Sequence, residues 1–218
     1  MTPIEKTWIF DWNGTLLNDV DHCYEIVCNL ASKYGVPSFT KDDYLNSFGF
    51  PIKTYYESLG FDFSKYEYEN LTSEFMQQYH FDETKLQLYP ATRSTISKIK
   101  QMGIDMEILS AYQHSRLNLL LKKFELTNFF REINGIENDM AHSKSHLLEA
   151  RLETLVATDC LMIGDTLHDA EIAYNHGINC VLIAQGYQSK ERLLNNKYGF
   201  VVIDNLDELF NEASTFEE

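Results

Sequence analysis

The sequence predicts an α/β fold: a parallel sheet flanked by helices, with a run of helices inserted after its first strand. Three observations point there. From residue 92 onward, short apolar runs ("MEIL", "CLMIG", "NCVLIA", "FVVI") alternate with stretches of helical period. Strands separated by helices imply right-handed crossovers and parallel pairing. Residues 40 to 80 have another texture, rich in Tyr and Phe and broken by Gly49, Pro51 and Gly60. A strand-like run, Thr7 to Phe10, comes before them, so the helices between it and the later sheet form an insertion.

The elements follow in order. Thr7 to Phe10 reads as a short buried strand. From Asn18 the apolar residues Val20, Tyr24, Val27, Leu30, Ala31 and Tyr34 fall three or four apart, Asn18 is a candidate cap, and Gly35 is a stop. Asn13-Gly14 is a strong hairpin signal, but only Thr15-Leu16-Leu17 remains for a returning strand. Short helices are expected near 41–47, 52–59 and 65–80. Then come a helix near 92–102, the strand "IDMEILSA", a helix near 114–124 and a strand near Arg131 to Ile133. A helix near 144–155, "CLMIG", a helix near 168–176, "NCVLIA", a helix near 189–196, "FVVI" and a terminal helix near 206–212 complete the pattern. The predicted division is a sheet core of residues 1–17 and 86–218 with a helical cap over 18–85.

Composition narrows the function. The 218 residues are 44% hydrophobic and 13% aromatic, enough for a sizeable core, and carry a formal net charge of -15. That charge argues against nucleic acid and anionic membranes as partners. The opening "MTPIEKTWIFDW" lacks a basic region followed by a long apolar one, and no run approaches the roughly 18 apolar residues of a membrane span. Cys23, Cys28, Cys160 and Cys180 show no metal-finger spacing. A reduced, cytoplasmic, soluble protein is expected.

In an open parallel sheet, ligands bind beyond the carboxyl ends of the strands. Polar residues stand at three such ends: Asp11 after "TWIF", Ser110 after "MEIL", and Asp165 with Asp169 after "LMIG". Lys144 opens a helix on a fourth crossover. A carboxylate, a hydroxyl, a lysine and a pair of acids at one sheet edge suggest metal-assisted attack on a phosphoryl group. Mg²⁺ suits oxygen ligands of this kind. Thr166 and Asp169 also fit a capping box. His142, His146, His168 and His176 lack the spacing of a zinc site.

"FDWNGTLL", "ILSA", "SK" at 143–144 and "GDTLHD" at 164–169 resemble, in order and spacing, the four motifs of the haloacid dehalogenase superfamily. The likeness is greatest to its phosphoglycolate-phosphatase-like branch and runs to about residue 187. It implies a Rossmann-like core with a helical cap and a Mg²⁺-dependent phosphatase acting on a small phosphorylated metabolite, phosphoglycolate-like by analogy. It makes Asp11 the nucleophile that forms an aspartyl-phosphate. Mg²⁺ would be held by Asp11, the backbone carbonyl of Asn13 and Asp165, with Asp169 in support. Ser110, nearby backbone N–H groups and Lys144 would hold the phosphate, and Gly14, Thr15 and Ala111 are the adjoining substrate positions. The sequence does not define an oligomeric state.

One residue departs from that pattern. Typical phosphatases of the superfamily carry a second aspartate where this chain has Asn13; that acid protonates the leaving oxygen and later activates water. An amide cannot exchange a proton at neutral pH, and general acid–base catalysis is worth roughly 10²–10⁴-fold. Slow turnover of alkyl phosphates is therefore expected, with a smaller loss for acyl or aryl phosphates. Lys53, in the predicted cap, is a candidate for a substrate carboxylate or for the Schiff base of the related phosphonoacetaldehyde hydrolases, which would make the chain a carbon–phosphorus hydrolase. Gln113 and His114 are placed to reach the pocket, and His114 is a candidate substitute for the missing acid. A non-catalytic phosphate-binding or regulatory module is the remaining alternative.

Overall fold

The computed structural model describes residues 6–137 and 144–210. His142, Ser143 and the end of the expected terminal helix lie outside the described residues. In chain order the elements are β1 (Thr7–Phe10), β2 (Leu17–Asn18), α1 (Val20–Tyr34), α2 (Lys41–Ser47), α3 (Ile52–Ser58), α4 (Tyr68–Asp82) and β3 (Gln87–Leu88). They continue as α5 (Thr92–Gln101), β4 (Asp105–Gln113), α6 (His114–Lys123), β5 (Glu132–Ile136), α7 (Ser145–Leu152), β6 (Cys160–Gly164), α8 (Leu167–Asn175), β7 (Asn179–Ile183), α9 (Lys190–Leu194) and β8 (Val201–Ile203).

Six strands form one parallel sheet in the order β5-β4-β1-β6-β7-β8. β1 lies between β4 and β6 and is buried along its whole length. A strand covered on both faces needs apolar residues on both, which explains the unbroken "WIF". Alternation sends Trp8 and Phe10 into one core cluster and Ile9 into another, on opposite faces of the sheet.

β2 and β3 form a two-residue antiparallel ladder, Leu17 opposite Leu88 and Asn18 opposite Gln87. The chain runs α1–α4 between these two strands, so the helical segment leaves and rejoins the sheet at one point. α1 buries Val20, Cys23, Ile26, Val27, Leu30 and Ala31 at helical spacing and ends at Gly35, whose φ of 71° is left-handed. Thr40 and Asp43 make a full capping box on α2. Gln188 donates to the Phe48 carbonyl at 2.8 Å and accepts from Leu167 N–H at 2.8 Å, tying the segment after α2 to the start of α8. Ser189 adds a 2.6 Å bond to Asn46.

The expected cap of α1 is corrected. Asp19, not Asn18, stands at the N-terminal position, and its side chain makes no capping bond. Its carboxylate turns back to the loop after β1, as described below. The Asn13-Gly14 turn does form, with Gly14 N–H donating to Leu17 at 3.0 Å and Leu17 N–H to Trp12 at 2.9 Å. It closes a tight loop that leads to β2 rather than a hairpin within the main sheet. α4 begins at Tyr68, three residues later than expected from 65–80. Among the described residues no helix is long and apolar enough to cross a membrane.

Candidate active site

Strand register brings the polar residues together. Phe10 pairs with Ile108 of β4 and Ile163 of β6. The next residues along the three strands are therefore Asp11, then Leu109-Ser110, then Gly164-Asp165, all at the carboxyl edge of the sheet. Asp11 N–H donates to the Ile163 carbonyl at 2.9 Å, holding the loop in line with β6.

Lys144, before α7, reaches this edge from outside the sheet. Its ammonium lies 2.9 Å from Asp11 Oδ1 and 2.7 Å from Asp169 Oδ1, and donates to the Leu109 carbonyl at 3.1 Å. The lysine is 3% exposed and Asp169 fully buried. Burial opposes the charge on Lys144, but Asp11 and Asp169 together outweigh it and hold its pKa above the usual lysine value. Burial likewise opposes the charge on Asp169, and Lys144 overcomes it and keeps that carboxyl below the usual range. Asp169 divides its oxygens: Oδ2 accepts from Thr166 N–H at 3.0 Å and Thr166 Oγ1 at 2.6 Å, completing the predicted capping box, while Oδ1 meets Lys144. Burial pushes Asp11 up to about 6 against the pull of Lys144. Asp11 Oδ1 takes both Lys144 and the Trp12 N–H at 2.8 Å, so Oδ2 is the oxygen neither group holds.

Asp165 is fully buried and has no lysine. Thr15 Oγ1 donates to its Oδ1 at 2.9 Å and Tyr187 N–H to its Oδ2 at 2.7 Å. Burial, then repulsion from Asp11 and Asp169, raises its pKa well above the ordinary value. Two glycines make room for it. A Cβ on Gly14, whose φ is +73°, would sit 2.3 Å from Asp165 Oδ2, and one on Gly186 would sit 2.2 Å from the same oxygen.

Asp11, Asp165 and Asp169 each offer an oxygen, all within 4.8 Å of one another. Three acids facing one lysine leave an excess of buried negative charge, the condition a divalent cation relieves. The all-oxygen donor set fits a hard ion such as Mg²⁺. Among the described residues this is the one such grouping of metal-binding side chains, and it contains no histidine.

Asn13 faces a residue the sequence reading missed. Its Nδ2 donates to Asp19 Oδ2 at 2.7 Å and lies 3.0 Å from the Tyr79 hydroxyl. Tyr79 O–H donates to Asp19 Oδ2 at 2.8 Å, and Gly14 N–H to Asp19 Oδ1 at 3.1 Å. Burial raises the pKa of Asp19, which is 1% exposed, against these donors. An acid just ahead of a helix reads as a cap, and Tyr79 lies 60 residues away; only the fold pairs them.

Asp11, Asn13, Ser110, Ala111, Lys144, Asp165 and Asp169 all line one cavity of about 190 Å³ beyond the sheet edge. Ser110 is buried, and its Oγ accepts from Tyr112 N–H at 3.1 Å. Gly14 and Thr15, expected as substrate positions, instead stand behind Asp165 and shape it. Lys53 and His114 are not brought to the site. Lys53 is exposed over the Phe63 ring, 5.6 Å from its centroid, because that face of α3 points outward. His114 is exposed at the start of α6, its Nε2 3.0 Å from Asn118 Nδ2. Gln113, Tyr55 and Tyr56 do line the cavity.

A parallel sheet with a carboxylate, a lysine and an acid pair at its carboxyl edge is an α/β fold with a charged site where such sheets bind ligands. The family is plain from comparison: the model of the haloacid dehalogenase-like hydrolases matches residues 8–183, and the chain belongs to that family. It is 24% identical over 201 residues to pyrophosphatase PpaX of Anoxybacillus flavithermus, covering 90% of this chain and 92% of the relative. It is 23% identical over 217 residues to phosphoglycolate phosphatase 1 of Pseudomonas aeruginosa, covering 95% and 79%. In structure it is similar to a haloacid dehalogenase-like family hydrolase from Streptococcus pneumoniae, with a TM-score of 0.81, 21% identity, and 97% and 99% of the two chains covered.

Proposed function

We propose that the protein is a Mg²⁺-dependent phosphatase that removes phosphate from a small organic phosphate in the cytoplasm through an aspartyl-phosphate at Asp11. The observation that carries this reading is the treatment of the Asp11 carboxylate. Lys144 and the Trp12 N–H pin Oδ1, which aims the side chain and leaves Oδ2 as the attacking oxygen. Membership of a hydrolase family with relatives named as phosphatases supports the same chemistry.

The residues divide the work. Lys144 offsets the charge of two approaching anions and keeps Asp11 ionised. Ser110 and the backbone N–H groups beside it hold the phosphate oxygens. Asp11, Asp165 and the Asn13 carbonyl, with Asp169 behind them, would hold Mg²⁺, which would add charge neutralisation at the phosphate. Thr15, Tyr187 N–H, Gly14 and Gly186 keep Asp165 in position for that ion. Residues 18–85 serve as a cap that closes the cavity and excludes bulk water.

The test is Mg²⁺-dependent phosphate release from acetyl phosphate by the intact protein and by Asp11→Ala. Release that Asp11→Ala abolishes, with a phosphate adduct mapped to Asp11 after rapid acid quench, is the expected result. Equal release by both proteins, or tight Mg²⁺-dependent phosphate binding without turnover, refutes it. The second outcome would favour a binding module.

A further inference from the structure

We infer that the preferred substrate is a phosphate monoester of an aromatic hydroxyl group whose leaving group carries no second charge. This rests on the phosphatase reading above and specifies what the cavity accepts beyond the phosphate.

Two separate features point to it. The first is the wall. Away from the carboxylates the cavity is lined by Phe48, Phe50, Ile52, Phe75 and Met76, together with tyrosine rings. Several of the tyrosine hydroxyls are already engaged: Tyr79 on Asp19, Tyr187 on the Cys23 sulfur at 3.0 Å, and Tyr112 on Glu83. These residues offer ring surface rather than donors. Phe48 stacks on Tyr187 at 4.6 Å between centroids, and Phe50 lies 4.5 Å from His168, so rings from the helical segment and from the core join in the cavity wall. Among the described residues Lys144 is the one lysine or arginine on the lining, and it is taken by Asp11 and Asp169. A carboxylate or second phosphate on the leaving group would meet ring faces, the Tyr55 hydroxyl, Gln113, His168 and the buried Asp19, with no lysine or arginine free to balance it.

The second feature is at the leaving oxygen. The amide nitrogen of Asn13 is turned to Asp19 and Tyr79, and an amide cannot give up a proton to a departing alkoxide. An aryl oxide leaves without one. Asp11 Oδ2 attacks phosphorus, the P–O(aryl) bond breaks, and its electron pair departs with the aryl oxide, which takes a proton from solvent. Water then attacks the phosphorus of the aspartyl-phosphate, giving dihydrogen phosphate and restoring the Asp11 carboxylate. The cavity, at about 190 Å³, is below the roughly 300 Å³ and more of drug-sized pockets. One ring and one phosphate suit it.

The experiment compares kcat/KM with Mg²⁺ for phenyl phosphate, cyclohexyl phosphate, phosphoglycolate and acetyl phosphate. Phenyl phosphate should exceed both cyclohexyl phosphate and phosphoglycolate by about 10²-fold or more, the order of a missing general acid. Phe50→Ala should lower the phenyl phosphate value about three- to tenfold more than the acetyl phosphate value, the order of one aromatic contact. Phe50→Leu repeats the comparison should the alanine variant not fold. Acetyl phosphate turnover with phosphoglycolate equal to or better than phenyl phosphate overturns the substrate class while leaving the phosphatase standing. No turnover even of acetyl phosphate overturns both.

Discussion

The amide of Asn13 lies 2.7 Å from the carboxylate of Asp19, a hydrogen bond between two buried or half-buried side chains of the loop after β1. The position where the resemblance implies a second acid therefore has a carboxylate neighbour, Asp19. Restoring the acid alone would set two carboxylates within hydrogen-bond reach, and such a pair shares a proton. Asn13→Asp should raise kcat for an alkyl phosphate by about 10²-fold, with a basic limb on its pH profile as the shared proton leaves. Adding Asp19→Asn removes the repulsion and should move that limb to lower pH. The kcat–pH profiles of the two variants decide it, and superimposable profiles would show that the side chains do not couple.

Without metal, the ionised Asp11 costs stability. Its pKa is raised from 3.8 to about 6. Between those values the folded protein binds more protons than the unfolded chain, so stability falls as pH rises. The contribution is fully present below about pH 4 and lost by about pH 6. A rise of that size corresponds to roughly 3 kcal/mol. In chelator, Asp11→Asn should equal the parent near pH 4 and exceed it in Tm at pH 7. Mg²⁺ should close that gap by stabilising the parent. A gap of the opposite sign at pH 7 would refute the account.

Thr15 is expected to act through Asp165. Its hydroxyl fixes one carboxylate oxygen from 2.9 Å. Losing a partner that orients a metal ligand typically weakens metal affinity by about 10–100-fold. Thr15→Val should therefore raise the Mg²⁺ concentration for half-maximal activity by that order, with smaller change at saturating Mg²⁺. A fall in kcat without a shift in the Mg²⁺ titration would show that Thr15 touches substrate instead.

Lys144 holds two carboxylates, so its removal should be felt in folding as well as in activity. Lys144→Met leaves Asp11 and Asp169 buried without their cation, a loss typically of about 3–5 kcal/mol. Urea unfolding of the metal-free variant measures it, and a loss below about 1 kcal/mol would mean that the carboxylates are not left buried as uncompensated charges.

Lys53 is exposed and away from the cavity. Lys53→Ala should change kcat/KM less than about twofold, the scale of an ordinary surface substitution. Borohydride in the presence of a phosphonoaldehyde should leave no label on Lys53. Labelling there would revive carbon–phosphorus chemistry.

Much of the fold was legible because β1, β6, β7 and β8 are built on short apolar runs between turn signals. β1 and β6 begin and end where "TWIF" and "CLMIG" do. The site was legible where residues follow strands directly: Asp11, Ser110 and Asp165 needed only the parallel order to meet. What escaped depends on side-chain direction across long separations. Asp19 looks like a helix cap, and nothing local shows its carboxylate turned back to Asn13 and Tyr79. Lys53 was a candidate because it lies in the inserted helical segment, yet the helix face that carries it is the exposed one. Thr15 was read as facing substrate, but the tight Trp12–Leu17 loop turns it inward to Asp165.

The bond from Thr15 to Asp165 spans 150 positions of chain, and it belongs to an edge where every strand pair is a non-local contact. Contacts so far apart form only after a large loss of chain entropy and are characteristic of slow steps. The charged cluster is therefore complete only when β1, β4 and β6 have paired. A nascent chain that has made β1 but not β6 holds a lone aspartate with ordinary acidity. Reactivity arrives when the last of the three central strands docks.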